Sequence, residues 1–380
     1  AGLVIDSNNY IYGVTGIGSF DPNNGDFGAT AFKMSYTPPS GTTAGKFTVV
    51  QWWSPYTDAG RMGQKVTASM PNGLIRNKLS GVSAPTEGLG KPVNSGHMVD
   101  MDEPQPTNAI ETMHMAKTPN PHVMKLVQAN GISGAFADED WGSAQGFFSQ
   151  KYGIYGCSGK DGIVYLMNIN NMGNTYPKDF ANAKANYAKL VQYPSWFTYY
   201  DQGVDTGPQD PTTLDILPDG KTRHSHSTPV QFTSKLHGDV VFCWGENAVL
   251  RAWNLSQTGL TYLAQGNEVA SAQVTNSPGG MPGGFMCISG NANAGSAVLW
   301  ALIPYGDANA TITNGRLLAY DPENFITNPD GSKTLAVLWD SQAWGITFKH
   351  PKFAVPMVYG GRVYVNNYNG SGIDVYGLAG

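Results

Sequence analysis

The chain has 380 residues, a net charge of -5 and only 13% charged residues, about half the share usual in globular proteins. With no basic run, nucleic acid and anionic membranes are disfavoured as partners, and no apolar run is long enough for a transmembrane segment. The 47 Gly and 24 Pro argue against long helices and for many turns, while the 41% hydrophobic content supplies a core for one large β domain or two smaller ones.

Taken in order, Gly2 to Asp6, Tyr10 to Thr15, Ala29 to Ser35 and Phe47 to Ser54 read as a first set of strands. Between them Asp21-Pro-Asn-Asn-Gly-Asp26 reads as a turn rather than a calcium loop, because it lacks the spacing and terminal Glu of an EF-hand. From residue 60 to 120 the strand pattern stops, and a long loop insertion is expected. It and the residues just after it concentrate thioether and imidazole groups, with His97, Met98, Met101, His114, Met115 and His122 as candidate metal ligands. That donor set leans to copper; the competing reading is an insertion packing its methionines onto the sheets.

A second set follows at Gly142 to Phe148, Tyr152 to Gly156 and Gly162 to Asn168, with the Asp161-Gly162 turn as a hairpin signal. Residues 175 to 220 read as a second insertion. It carries a short helix over Pro177 to Val191 and an aromatic run from Tyr193 to Tyr200 that is either a stacking platform or a plug over a sheet.

The stretch from Lys221 to Leu255 is the most chemical. If Lys221 to Val230 is extended, His224 and His226 point to one face. Val240 to Trp244 reads as a buried strand, and Val249 to Leu255 as a strand with one wet face. Strand and turn alternating within about forty residues is the pattern of one propeller blade. Leu260 to Gln265 is its outer strand. The turn Ser277 to Phe285 carries Gly280, Met281, Gly283 and Gly284; its backbone sits either against a ligand or against the neighbouring blade. Phe285 to Ser289, Ala297 to Pro304, Arg316 to Asp321 and Leu335 to Asp340 form a further set, and Phe353 to Val358, Arg362 to Asn367 and Ile373 to Leu378 the last. The expected fold is all-β: a β-propeller of four-stranded antiparallel blades over residues 1 to 380, with about five blade units visible. Cys157, Cys243 and Cys287 lie far apart in apolar strand-like runs and read as buried, inert thiols.

Several phrases resemble the bacterial propellers related to pyrroloquinoline quinone (PQQ) dehydrogenases. They include Tyr10-Ile-Tyr-Gly13, Gly159-Lys-Asp-Gly-Ile-Val-Tyr-Leu-Met-Asn168, His224-Ser-His226, Trp244-Gly-Glu-Asn247, Met281-Pro-Gly-Gly284 and Gly361-Arg-Val-Tyr-Val365. The resemblance implies a propeller of seven or eight blades, closed by pairing of the chain ends. This chain is short for that and its start resembles a position inside such a propeller, so either fewer blades close, or an upstream portion is missing, or a partner chain or oligomer completes the propeller. The resemblance also implies PQQ held with calcium, by a vicinal Cys pair, a tryptophan and a carboxylate base. No vicinal Cys pair occurs here.

Besides a copper-binding protein acting through the Met/His-rich insertion, two functions are weighed, and the reading leans to the first. One is a metal- or quinone-linked oxidoreductase relative, with His224, His226, Glu246 and Asp161 as candidate catalytic groups, joined by His350. Lys160, Trp244, Gly280, Met281, Gly283 and Gly284 are its candidate cofactor contacts. The other is a non-catalytic binding or assembly module. Low charge and abundant Asn, Ser, Thr and Tyr favour a periplasmic or secreted location.

Overall fold

A computed structural model describes residues 2–15, 20–21, 25–27, 30–54, 144–158, 163–172, 174–175, 195–196, 225–257, 259–271, 282–290, 295–306, 308, 311–368 and 372–377. Among these residues every regular element is a β-strand and none is a helix. The first sheet contains β1 (Val4–Ile5), β2 (Ile11–Val14), β5 (Ala31–Thr37) and β6 (Lys46–Ser54), paired antiparallel in that order. The Asp21–Asp26 turn does close a small hairpin, β3 (Phe20–Asp21) with β4 (Asp26–Phe27), and Gly25 takes φ 85° there, where side-chain-bearing residues are strained.

The second sheet orders β7 (Gly146–Ser149), β8 (Ile154–Ser158), β9 (Ile163–Asn168) and β11 (Ser195–Trp196). A short β10 (Asn174–Thr175) instead joins β6 in parallel. Part of the expected second insertion is thus strand: Ser195 pairs with Val164 and makes β11 the fourth strand. The rest of that insertion, its expected helix included, lies outside the described residues.

The third set is β12 (Val230–Ser234), β13 (Gly238–Cys243), β14 (Val249–Ser256) and β15 (Gly259–Val269). The fourth is β16 (Phe285–Ser289), β17 (Val298–Pro304), β18 (Asn314–Thr327) and β19 (Lys333–Asp340), with β20 (Phe348–Lys349) also on β18. One parallel bridge, Gln265 to Thr334, links β15 to β19. The resulting eight-strand path is nearly closed and barrel-like, because its end strands β12 and β16 run beside each other. The last sheet is β21 (Met357–Tyr359), β22 (Arg362–Asn367) and β23 (Gly372–Gly377), again antiparallel.

The apolar runs explain how these sets stack. Alternate residues of a strand face opposite ways, and in β13 both faces are apolar. Val240, Phe242 and the adjoining Trp244 join Leu299, Ala301 and Ile303 of the fourth set in one core. Val241 and Cys243 join Phe147, Val164 and Leu166 of the second sheet in another. Tyr12, Ala31 and Trp53 pack on Tyr155, Cys157 and Met167 between the first and second sheets. Leu302, Leu317 and Phe348 pack on Val363 and Val365 between the fourth set and the last sheet. Each set therefore covers the next in chain order. Burying each such side chain contributes about 1.5 to 3 kcal/mol.

This stacking corrects one sequence expectation. β14 has no wet face: Val249 to Trp253 are all buried, because the strand lies between two sheets. Polar ties reinforce the joints. The Glu323 carboxylate accepts hydrogen bonds from Ser234 Oγ at 3.0 Å, Lys235 N at 3.0 Å and Gly295 N at 2.9 Å. Within the fourth set, Arg316 grips Asp340 with two bonds, at 3.0 and 2.7 Å.

Candidate functional site

Antiparallel pairing fixes which loops share an end. Val230, at the start of β12, pairs with Phe242, near the end of β13. The segment before β12 and the β13–β14 turn therefore lie together. Phe285, opening β16, pairs with Leu302 near the end of β17, and Ser271 N donates to Pro304 O at 3.1 Å across the third and fourth sets. At that end the structure brings together five residues singled out in the sequence: His226, Trp244, Glu246, Gly283 and Gly284.

Their arrangement is a packed joint. Residues 225–229 are irregular rather than strand, so the shared-face argument for the His pair does not apply to His226; His224 lies outside the described residues. The irregular segment is held by its serines. Ser225 Oγ is 2.8 Å from Ser158 Oγ of the second sheet, and Ser227 Oγ donates to Trp244 O at 3.0 Å. The same carbonyl accepts from Gly284 N at 3.2 Å. Trp244 anchors its own turn, its Nε1 donating to Ala248 O at 2.8 Å, and Asn247 takes a left-handed φ of 52° within it, a conformation Asn tolerates better than most.

His226 Nε2 lies 3.9 Å from Glu246 Oε2, beyond hydrogen-bond distance. The two residues are 3% and 1% exposed. The Phe353 ring covers the imidazole at 5.8 Å between centroids and also meets Phe285 at 6.2 Å. Phe353 was expected at the start of a strand. It is instead a turn residue with φ 65°, since β21 begins only at Met357. Imidazole beside carboxylate is the composition of an acid–base pair, but these two are sealed from solvent. Their evident work is to tie the loop before β12 to the β13–β14 turn.

The glycines close the joint further. A methyl group at Gly283, where φ is 85°, would lie 2.8 Å from the Gly245 carbonyl carbon, and one at Gly284 would lie 2.6 Å from the Trp244 ring. As packed, Trp244, Gly283 and Gly284 fit closely against one another. Of the two readings of the glycine-rich turn, contact with the neighbouring sheet fits its described residues, Pro282 to Phe285. Asp161, Lys160, Gly280 and Met281 lie outside the described residues, as do the candidate copper ligands His97, Met98, Met101, His114, Met115 and His122. Among the described residues no group of three or more His, Cys, Asp or Glu side chains could hold a metal.

His350 reaches the same end from the strand before β21. Its backbone N donates to Thr313 O at 2.9 Å. Its ring is 4% exposed, and neither nitrogen has a hydrogen-bond partner among the described residues. Burial lowers its pKa to about 3, which makes it a neutral core residue. No disulfide joins Cys157, Cys243 and Cys287; the first two are buried and Cys287 partly so. Burial pushes Cys243 up strongly and Cys287 up to about 12, so neither is a ready nucleophile.

Sequence reading missed Phe353 and the clefts beside the first strands. One cleft, of about 560 Å³, is lined by Phe148, Val230, Phe232 and Met286. Another, of about 660 Å³, lies between Cys287–Gly290 and Val355–Gly360. Both depend on neighbouring sets, so no single strand signals them. No described helix is long and apolar enough to cross a membrane. In comparison with known proteins, the chain matches no family model and no curated protein.

Proposed function

We propose that the chain is a β-propeller, exported from the cell, that serves as a binding or assembly module rather than as a redox catalyst. The propeller reading is supported by the stack of successive antiparallel sets. Their first strands are neighbours in chain order, β1 with β7, β7 with β12, β12 with β16 and β16 with β21. That is the order expected of strands around an axis.

The observation that carries the functional reading is the contrast between the two kinds of surface. The described polar candidates His226, Glu246 and His350 are packed away, whereas the outer face of the last sheet carries exposed apolar side chains. Tyr359 is 74% exposed, Ile373 58% and Val375 51%, and they lie on one sheet. Exposed contiguous apolar surface marks contact sites.

The metal- or quinone-linked oxidoreductase reading stands second. It draws on the convergence of His226, Glu246, Trp244, Gly283 and Gly284 at one end and on the resemblance of the strand phrases. An absorption spectrum and elemental analysis of the protein as isolated, with dye-linked turnover of primary alcohols and aldoses, separates the two. A colourless protein without stoichiometric calcium or copper and without turnover is expected. Quinone absorbance with turnover, lost in His226→Ala/Glu246→Ala, would reverse the order.

A further inference from the structure

The stack ends in two sheets that each have one covered face and one outer face, that of the first sheet being open except where Phe32 is buried beside Gly13 and Phe27 packs on Trp52. In the last sheet Val363 and Val365 face the fourth set. The residues between them face the other way. Across the three strands the open face reads Met357, Tyr364 and Val375 in one row, Tyr359 and Arg362 in the next, and Asn366 with Ile373 in the third. At the other end of the stack, Tyr12, Ala31 and Trp53 face the second sheet. The opposite face of that first sheet carries Ile5, Ile11, Met34 and Val49 in one row and Tyr36 opposite Phe47 in another. Ile5 is 63% exposed and Phe47 57%. None of the four described core clusters joins the first sheet to the last.

We propose that two copies of this chain pair head to tail. The open face of the β21–β23 sheet of each copy packs on the open face of the first sheet of the other, continuing the sheet-on-sheet series already present within one chain. The inference rests on the binding-module reading and names its partner. Size decides for two contacts rather than one. A face of three strands about 4.8 Å apart and six residues of about 3.3 Å has a footprint of roughly 300 Å². A single such contact falls below the roughly 1,200 Å² total that stable interfaces bury, and two reciprocal contacts approach that size. Reciprocity also closes the assembly, where a lone head-to-tail contact would propagate into fibres. The sole charge among the named residues of either face is Arg362, so no like charge opposes the contact.

Native mass spectrometry of the protein as isolated, with light scattering at tens of micromolar, tests this. A species of twice the 40.6 kDa chain mass is expected. Val375→Glu and Ile5→Glu replace side chains that are already half exposed or more, so both variants retain the fold, checked by circular dichroism. Each alone should run as a monomer, with pairing weakened roughly a hundredfold or more by a carboxylate buried in the contact. An equimolar mixture of the two should show at most weak mixed pairing, because a mixed pair keeps one of its two contacts and that contact alone is below the size of a stable interface. A pair that Ile5→Glu leaves intact would show the last sheet meeting itself and overturn the proposal. A wild-type monomer without added mass would overturn self-pairing while leaving the binding-module reading. A monomer carrying stoichiometric quinone or metal mass would overturn both.

Discussion

Acidification should loosen this protein through His350. The imidazole is held neutral in the fold with its pKa lowered to about 3, against an ordinary 6.5, by burial. A base whose pKa is depressed on folding binds fewer protons in the native than in the unfolded state between those two values. Stability from this residue is therefore unaffected above pH 6.5, falls as pH drops below it, and stops falling near pH 3. At pH 5 the loss is 1.5 pH units at about 1.4 kcal/mol each, about 2 kcal/mol. The buried carboxylates lose stability in the same direction, so the comparison must be differential. Urea unfolding followed by tryptophan fluorescence at pH 7, 6 and 5 should show the wild type losing about 2 kcal/mol more between pH 7 and 5 than His350→Met, which keeps a side chain of similar bulk without a titrating group. Parallel losses in the two proteins would refute a buried, neutral His350.

Two further substitutions probe the joints. Glu323→Ala removes an acceptor serving Ser234, Lys235 and Gly295; a loss of about 2 to 3 kcal/mol in urea unfolding is expected, and a loss below 0.5 kcal/mol would mean solvent already serves those donors. Gly284→Ala places a methyl 2.6 Å from the Trp244 ring; it should cost about 1 to 3 kcal/mol and change Trp244 fluorescence, whereas an unperturbed protein would show slack between the glycine-rich turn and the Trp244 loop.

The sequence by itself located most of the longer strands. Alternation and turn residues are local, so runs such as Val240 to Trp244 and Arg362 to Asn367 announced themselves, as did the Asp21–Asp26 turn. It also singled out His226, Trp244, Glu246, Gly283 and Gly284, which converge in space. Their state was not legible, because burial is set by partners distant in sequence: Phe353 lies 127 positions beyond His226 and covers its ring, and Ser158 anchors Ser225 across two sheets. The same holds for β14, whose alternating pattern suggested one wet face although both are covered. Tertiary structure alone decided that β11 completes the second sheet from within an expected insertion. It alone decided that the polar cluster is a joint while Tyr359, Ile373 and Val375 stand open, since a strand's pattern states which residues share a face but not whether another sheet comes to lie upon it.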